Sequence, residues 1–262
     1  MWPDGMRSAV ALTFDLDIET PFANGETPVA RRPGLGSQAQ YAAKVGVPLI
    51  LSLLEQLEVD ATFFVPGKSA EDFPETVRSI AVDHEIASHG YTHEAPSSMG
   101  REREEEELLR TLEILASFGV DVAGYRAPFF EPSAHTVELL DRYGLRYSSG
   151  LMDDIRPYRH PGTGVIELPS QWLFDDWSQF GHGYDDVLAR NATCSHVRQL
   201  WMEEFTALHQ LGGLMVITMH PQVIGRPSRI QMLADVVSEM KSHDGVWFAN
   251  CRMIADHAAR VL

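Results

Sequence analysis

The chain has 262 residues, 44 % of them apolar and 22 % charged, a composition that suits one folded domain with a sizeable core and argues against disorder. Twenty-one Lys and Arg against 37 Asp and Glu leave a formal charge of −16, which repels phosphate backbones and anionic lipid heads, so neither nucleic acid nor a membrane surface is an expected partner. Met1 to Arg7 lacks a basic cluster leading into an apolar segment, and nowhere is there an apolar run long enough to span a bilayer, so a cytoplasmic protein is expected. Cys194 and Cys251 fit no zinc or redox spacing and read as reduced thiols.

Ala9 to Phe14 is a short apolar run rich in β-formers and predicts a buried strand. It ends in Asp15-Leu16-Asp17-Ile18-Glu19. If strand geometry persists, Asp15 and Asp17 share a face with Leu16 turned into the packing. Two carboxylates side by side resist joint ionisation unless a cation accompanies them, so the pair offers an oxygen ligand and a spare base. A solvated acidic turn is the plainer alternative.

Residues 20–35 have no hydrophobic period and predict a long loop, such as a lid, a binding segment or an interface arm. Helical spacing follows over 42–57, a strand over 60–65, a helix over 70–82 and a third strand before His89. His89 and His93 stand four residues apart beside Gly90, a spacing that brings two imidazoles to one point on a helical turn or in a tight loop. Two surface histidines in a loop would look the same in isolation.

A helix over 101–118 opens with Glu102-Arg103-Glu104-Glu105-Glu106-Glu107, read as a solvated face at a helix amino end. A strand over 120–125 leads to Arg126-Ala127-Pro128, where an arginine at a strand end can clamp a carboxylate and hold it as a base. A helix over 133–143 and a strand near 145–148 precede a less regular region, 151–191. Its landmarks are Val165-Ile166-Glu167-Leu168-Pro169 and the acid–aromatic run Asp175-Asp176-Trp177, which can wall a cleft and orient a histidine, or simply pack the core edge. A helix over 197–211 feeds the apolar strand 213–219, which ends in His220-Pro221 and runs on to Gly225-Arg226-Pro227. Helices over 228–243 and 250–261 flank a short strand at 246–248. The alternation of strand and helix predicts a parallel α/β fold, and in a barrel of that kind the five polar clusters at strand ends converge on one mouth.

With these residues in view, the sequence resembles the polysaccharide deacetylase family, the NodB-homology or carbohydrate esterase 4 group, from Thr13 to about His257. The resemblance implies a single catalytic domain over 1–262 with an irregular (β/α) barrel. It implies Asp15 as catalytic base, Asp17, His89 and His93 as ligands of a divalent metal taken as zinc, Arg126 as the residue that orients the base, and His220 as the acid. Asp175, Asp176 and Trp177 would line the cleft, with either acid supporting His220, and Arg226 is counted with them as a substrate-binding residue. The pattern Thr13-Phe14-Asp15-Leu16-Asp17-Ile18-Glu19 departs from the adjacent aspartates of secreted members. It looks like the intracellular branch of peptidoglycan-deacetylase-like proteins, allantoinase-like proteins and cyclic imide hydrolases, and leaves Glu19 as a competitor to Asp17. The expected substrate is an N-acylated sugar or a small cyclic amide, a metal- or carbohydrate-binding protein without turnover is the third reading, and a homo-oligomer, guessed as a tetramer, is expected.

Overall fold

The computed structural model describes residues 1–20, 33–181 and 192–262. Strand β1 (Ser8–Asp15) is buried along its whole length, because a parallel strand is covered on both faces. Val10, Leu12 and Phe14 face the outer helices, while Ala9 and Ala11 face the interior. This alternation assigns Thr13 and Asp15 to the interior side as well.

Eight further strands complete the sheet: β2 (Thr62–Val65), β3 (Glu85–Ser88), β4 (Gly124–Tyr125), β5 (Tyr147–Ser148), β6 (Tyr158–Arg159), β7 (Ile166–Glu167), β8 (Leu214–Met219) and β9 (Val246–Phe248). Their order is β6-β7-β5-β4-β3-β2-β1-β8, and every pair is parallel except β6 with β7. β8 takes one edge of β1, so β2 and β9 must share the other, β2 at Thr13–Asp15 and β9 at Ser8–Val10. Among the described residues β6 and β8 are not paired with each other, and the sheet is a curled, incomplete barrel with helices outside. The interior is filled by small residues such as Ala11 and Ala87, by Phe64 and Tyr147, and by Ile254 and Ala258 of the last helix, Cys251–Val261.

Several local expectations are corrected. The helix expected over 70–82 is two, Gly67–Asp72 and Pro74–Ile80, because Pro74 has no N–H to continue the first. Helix begins at Pro33, inside the expected loop, and runs to Tyr41, then through a wide turn at Ala42–Gly46 into Val47–Leu57. Residues 21–32 of that loop lie outside the described residues. The strand expected over 120–125 is reduced to Gly124–Tyr125, and the region read as irregular holds β6 and β7, its residues 182–191 lying outside the described residues. The acidic run of helix Arg101–Ala116 is not wholly solvated: Glu104 is buried and accepts from Ser133 Oγ and Thr136 Oγ1, and Glu107 accepts from Thr92 in the histidine loop. No helix among the described residues is long and apolar enough to cross a membrane.

Candidate active site

Parallel strands that share a direction deliver their carboxyl ends to one rim. Asp15 closes β1, His89 follows β3, Arg126 follows β4 and His220 follows β8. The acid–aromatic run is the exception. Asp175 follows a short 3-10 turn, Trp172–Phe174, and joins the sheet by a single bridge to Thr218.

Beyond Asp15 the chain turns sharply, with Ile18 in the left-handed region at φ 53°. A β-branched residue resists that conformation. The turn is pinned through the Asp17 carbonyl, which accepts from Thr20 N at 3.0 Å and from Thr20 Oγ1 and Ser69 Oγ at 2.8 Å each. His89 and His93 are joined by a tight loop, not a helical turn: Gly90 has φ 68° and His93 φ 60°. His89 Nδ1 is 2.8 Å from the Arg126 carbonyl. A carbonyl can only accept, so Nδ1 carries the proton and Nε2 presents its lone pair. That Nε2 is 3.5 Å from Asp17 Oδ1 and 3.7 Å from Asp15 Oδ2, and His93 Nε2 is 3.4 Å from Asp17 Oδ2.

Arg126 is fully buried. Its Nη1 donates to Asp15 Oδ1 at 2.7 Å and Thr13 Oγ1 at 2.9 Å, while Nε and Nη2 donate to the Ser149 carbonyl and hydroxyl at 3.0 and 3.2 Å. The guanidinium carbon also lies 4.0 Å from the centre of the Phe64 ring. Asp15 therefore has one oxygen occupied by arginine and the other turned toward His89.

On the opposite side, His220 Nδ1 is 2.8 Å from Asp176 Oδ1, and the same carboxylate accepts the His220 backbone N–H. Asp175 Oδ1 is farther away, at 3.8 Å, and caps the next helix by accepting from Trp177 N. Asp176 is thus the partner of His220, which neither residue type nor spacing could decide. His220 Nε2 points back to Asp17 Oδ2 at 3.5 Å. Burial by itself would lower the His220 pKa, but the hydrogen bond and charge of Asp176, with Asp175 and Asp17, push it up to about 10. Burial likewise works to raise Asp17, yet His93, His89 and His220 together hold its carboxyl well below the usual range. Burial outweighs the nearby aspartates at His89 and keeps that imidazole below its ordinary value, hence neutral near pH 7 and able to coordinate.

These groups border one cavity of about 300 Å³, walled also by Phe129, Phe130, Trp172 and Trp177. Phe129 stacks edge-on with His93 at 4.7 Å, and Trp177 with His220 at 5.0 Å. Asp15, Asp17, His89, His93, Asp175, Trp177 and His220 line it; Asp176 and Arg126 stand behind. Arg226 is not brought to this wall: it stacks on Tyr41 at 3.6 Å and bonds to Gln38 and the Gln222 carbonyl. Glu19 accepts from Gln40 Nε2 at 3.1 Å and is not part of the Asp17–His89–His93 group. Sequence reasoning missed Thr20, Ser69 and Ser149, whose roles run through backbone carbonyls or short hydroxyls and leave no pattern.

A divalent cation fits the Asp17–His89–His93 group. One ligand atom from each residue lies within 4.8 Å of the others. Asp17 Oδ1 is buried without any hydrogen-bond partner, a costly state for a carboxylate that a cation would relieve. Two imidazoles and one carboxylate are a donor set suited to zinc-type chemistry with room for a further ligand.

The sequence profile of the polysaccharide deacetylase family matches residues 4–148. A peptidoglycan deacetylase of Helicobacter pylori is 30 % identical over 251 residues, 84 % of this chain and 86 % of that protein. A solved Mycobacterium smegmatis structure described as a polysaccharide deacetylase superposes with a TM-score of 0.96 at 39 % identity, over 100 % of this chain and 93 % of that one. The Puue allantoinase, with a TM-score of 0.83 at 23 % identity over 98 % and 91 % of the two chains, shares the fold. By sequence profile, by relative and by superposition, the chain belongs to the polysaccharide deacetylase family, the NodB-homology or carbohydrate esterase 4 group.

Proposed function

We propose that the whole chain is one catalytic unit that hydrolyses a non-peptide amide C–N bond with the help of a divalent cation, and that its substrate is an N-acetylated amino sugar. The observation that carries this reading is the placement of an Arg-held carboxylate and an Asp-held imidazole on opposite sides of Asp17, His89 and His93 within one cavity. A binding protein needs a pocket, but it has no use for a base and an acid facing each other.

Asp17, His89 and His93 are the residues that would hold the cation, which we take as zinc from the donor set. When bound, it supplies Lewis acidity for an acyl oxygen and for a water. Asp15, with Oδ1 fixed by Arg126, offers Oδ2 to take a proton from the attacking water as its oxygen joins the acyl carbon. His220 shares its Nδ1 proton with Asp176, so Nε2 is the nitrogen that faces the cavity and protonates the departing amine as the C–N bond breaks. A carboxylic acid and a free amine result. Phe129, Phe130, Trp172 and Trp177 offer flat apolar faces on which a sugar ring can lie.

The test is acetate release from N-acetylglucosamine oligomers by zinc-loaded protein. Four aromatic rings beside the polar groups also suit a second substrate class, small cyclic imides and ureides, so succinimide, dihydrouracil, hydantoin and allantoin belong in the same panel. Ring opening with no acetate release would move the substrate to that class. If the loaded protein cleaves no amide at all, the hydrolase reading is wrong.

A further inference from the structure

Arg126 holds Asp15, and what holds Arg126 is Ser149, through its carbonyl and its hydroxyl. Ser149 is in turn fixed from the far side of the barrel wall. Ile166 and Leu168 pack into the interior, so strand alternation turns Glu167 outward. There the Glu167 side chain is buried. Its Oε1 accepts the backbone N–H groups of Gly150 at 2.8 Å and Leu151 at 2.9 Å. Its Oε2 accepts from the hydroxyl of Ser148, its register partner across β5 and β7, and lies 2.9 Å from His160 Nε2.

A carboxylate in this position is costly to bury, and an apolar residue would serve the packing better unless the donors around it need an acceptor. Those donors all belong to the arch on either side of Ser149 or to the neighbouring hairpin. We propose that Glu167 is a positioning residue: by clamping Ser148, Gly150 and Leu151 it holds Ser149 in place to orient Arg126, and through Arg126 the Asp15 carboxylate. The guanidinium is a planar fork, and fixing Nε and Nη2 on Ser149 fixes the direction in which Nη1 meets Asp15. The kinetic consequence of this inference rests on the hydrolase reading; the linkage from Glu167 to Arg126 does not.

The first readout needs no substrate. In the zinc-loaded 262-residue chain the Arg126 Nε–H, buried and bonded to the Ser149 carbonyl, is expected to be protected from hydrogen exchange. Glu167→Ala is expected to speed that exchange about tenfold or more while amides of β1 and β8 keep their protection. Glu167→Gln, whose oxygen still accepts from Gly150 and Leu151, should restore most of it. The second readout is kinetic: Glu167→Ala lowers kcat about tenfold or more with KM within about twofold, since a displaced catalytic group loses the transition state and not the substrate. In an Arg126→Lys background the same change costs less than about twofold, because the route it acts through is already broken. Unchanged protection of Arg126 Nε–H, a KM that rises in step with the loss, or the same cost in both backgrounds would overturn the proposal. If Glu167→Ala does not fold cooperatively, Glu167→Asp, with its carboxylate withdrawn by one methylene, is carried through the same exchange measurement and cycle with the same expectations. Should the native chain cleave no amide, the exchange readout still decides the role of Glu167, and the hydrolase reading fails separately.

Discussion

At the scale of single residues the site is two charge-bearing pairs set on either side of a trio of candidate ligands. Asp15→Asn removes the proton acceptor but keeps the size of the side chain and a hydrogen bond for Arg126. Turnover is expected to fall by about 10²–10⁴-fold with metal stoichiometry unchanged, measured by kinetics beside metal analysis; retained activity would remove Asp15 as base. Asp176→Asn acts on the other pair. His220 must be protonated to donate, so activity is lost as pH rises through its pKa, which Asp176 raises. A bound cation next to Asp17 pulls that limb downward by repulsion, so the informative comparison is between variants in the same metal form. In Asp176→Asn the alkaline limb of kcat moves to lower pH, and a limb that does not move would show that Asp176 does not set the proton affinity of His220.

At the scale of elements, the rim depends on helices that touch no reacting atom. Gly46 sits where the wide turn Ala42–Gly46 passes over the His220–Pro221 corner, and a Cβ there would stand 2.3 Å from the Pro221 carbonyl oxygen. Gly46→Ala has no room unless that corner shifts. The cost expected for such overpacking is about 1–3 kcal/mol of stability, read by urea unfolding, and kcat should fall more than KM rises because Pro221 follows His220 directly. Stability and kinetics both at native level would mean the corner is free to give. A related dependence explains why part of helix Arg101–Ala116 escapes its reading as a solvated face: Glu107 binds Thr92, and so one turn of that helix steadies the loop between His89 and His93. Charge density along a segment cannot show that, since an acidic run looks the same in solvent as it does against a loop hydroxyl.

For the whole molecule, the open barrel is filled from within by its last helix and carries Asp17, His89 and His93 at its rim. Ile254, fully buried in the interior cluster, should lose about 2–5 kcal/mol on truncation to Ala, seen as a lowered melting temperature; no change would mean the helix does not plug the barrel as described. Chelation should act at the other end. A cation bound by the folded chain and not the unfolded one stabilises by about 2.7 kcal/mol at a hundredfold excess over its Kd, so chelator should lower the melting temperature and abolish turnover, and zinc should restore both. A melting temperature indifferent to chelator and to added zinc would count against a site at Asp17, His89 and His93.

The sequence by itself determined the parallel α/β alternation, the residues at the ends of β1, β3, β4 and β8, and the family, because burial on both faces leaves continuous apolar runs and because the polar clusters stand at the points where those runs stop. It did not decide which of Asp175 and Asp176 meets His220, that Glu19 turns away to Gln40, that Arg226 is spent on Tyr41 and Gln38, or that Ser149 and Glu167 stand behind Arg126. Those outcomes depend on distances between segments far apart in the chain, and on backbone carbonyls and amides that every residue carries alike. Only the strand order of the curled sheet, which sets β5 and β7 beyond β4 and β8 beside β1, gives such groups a particular partner.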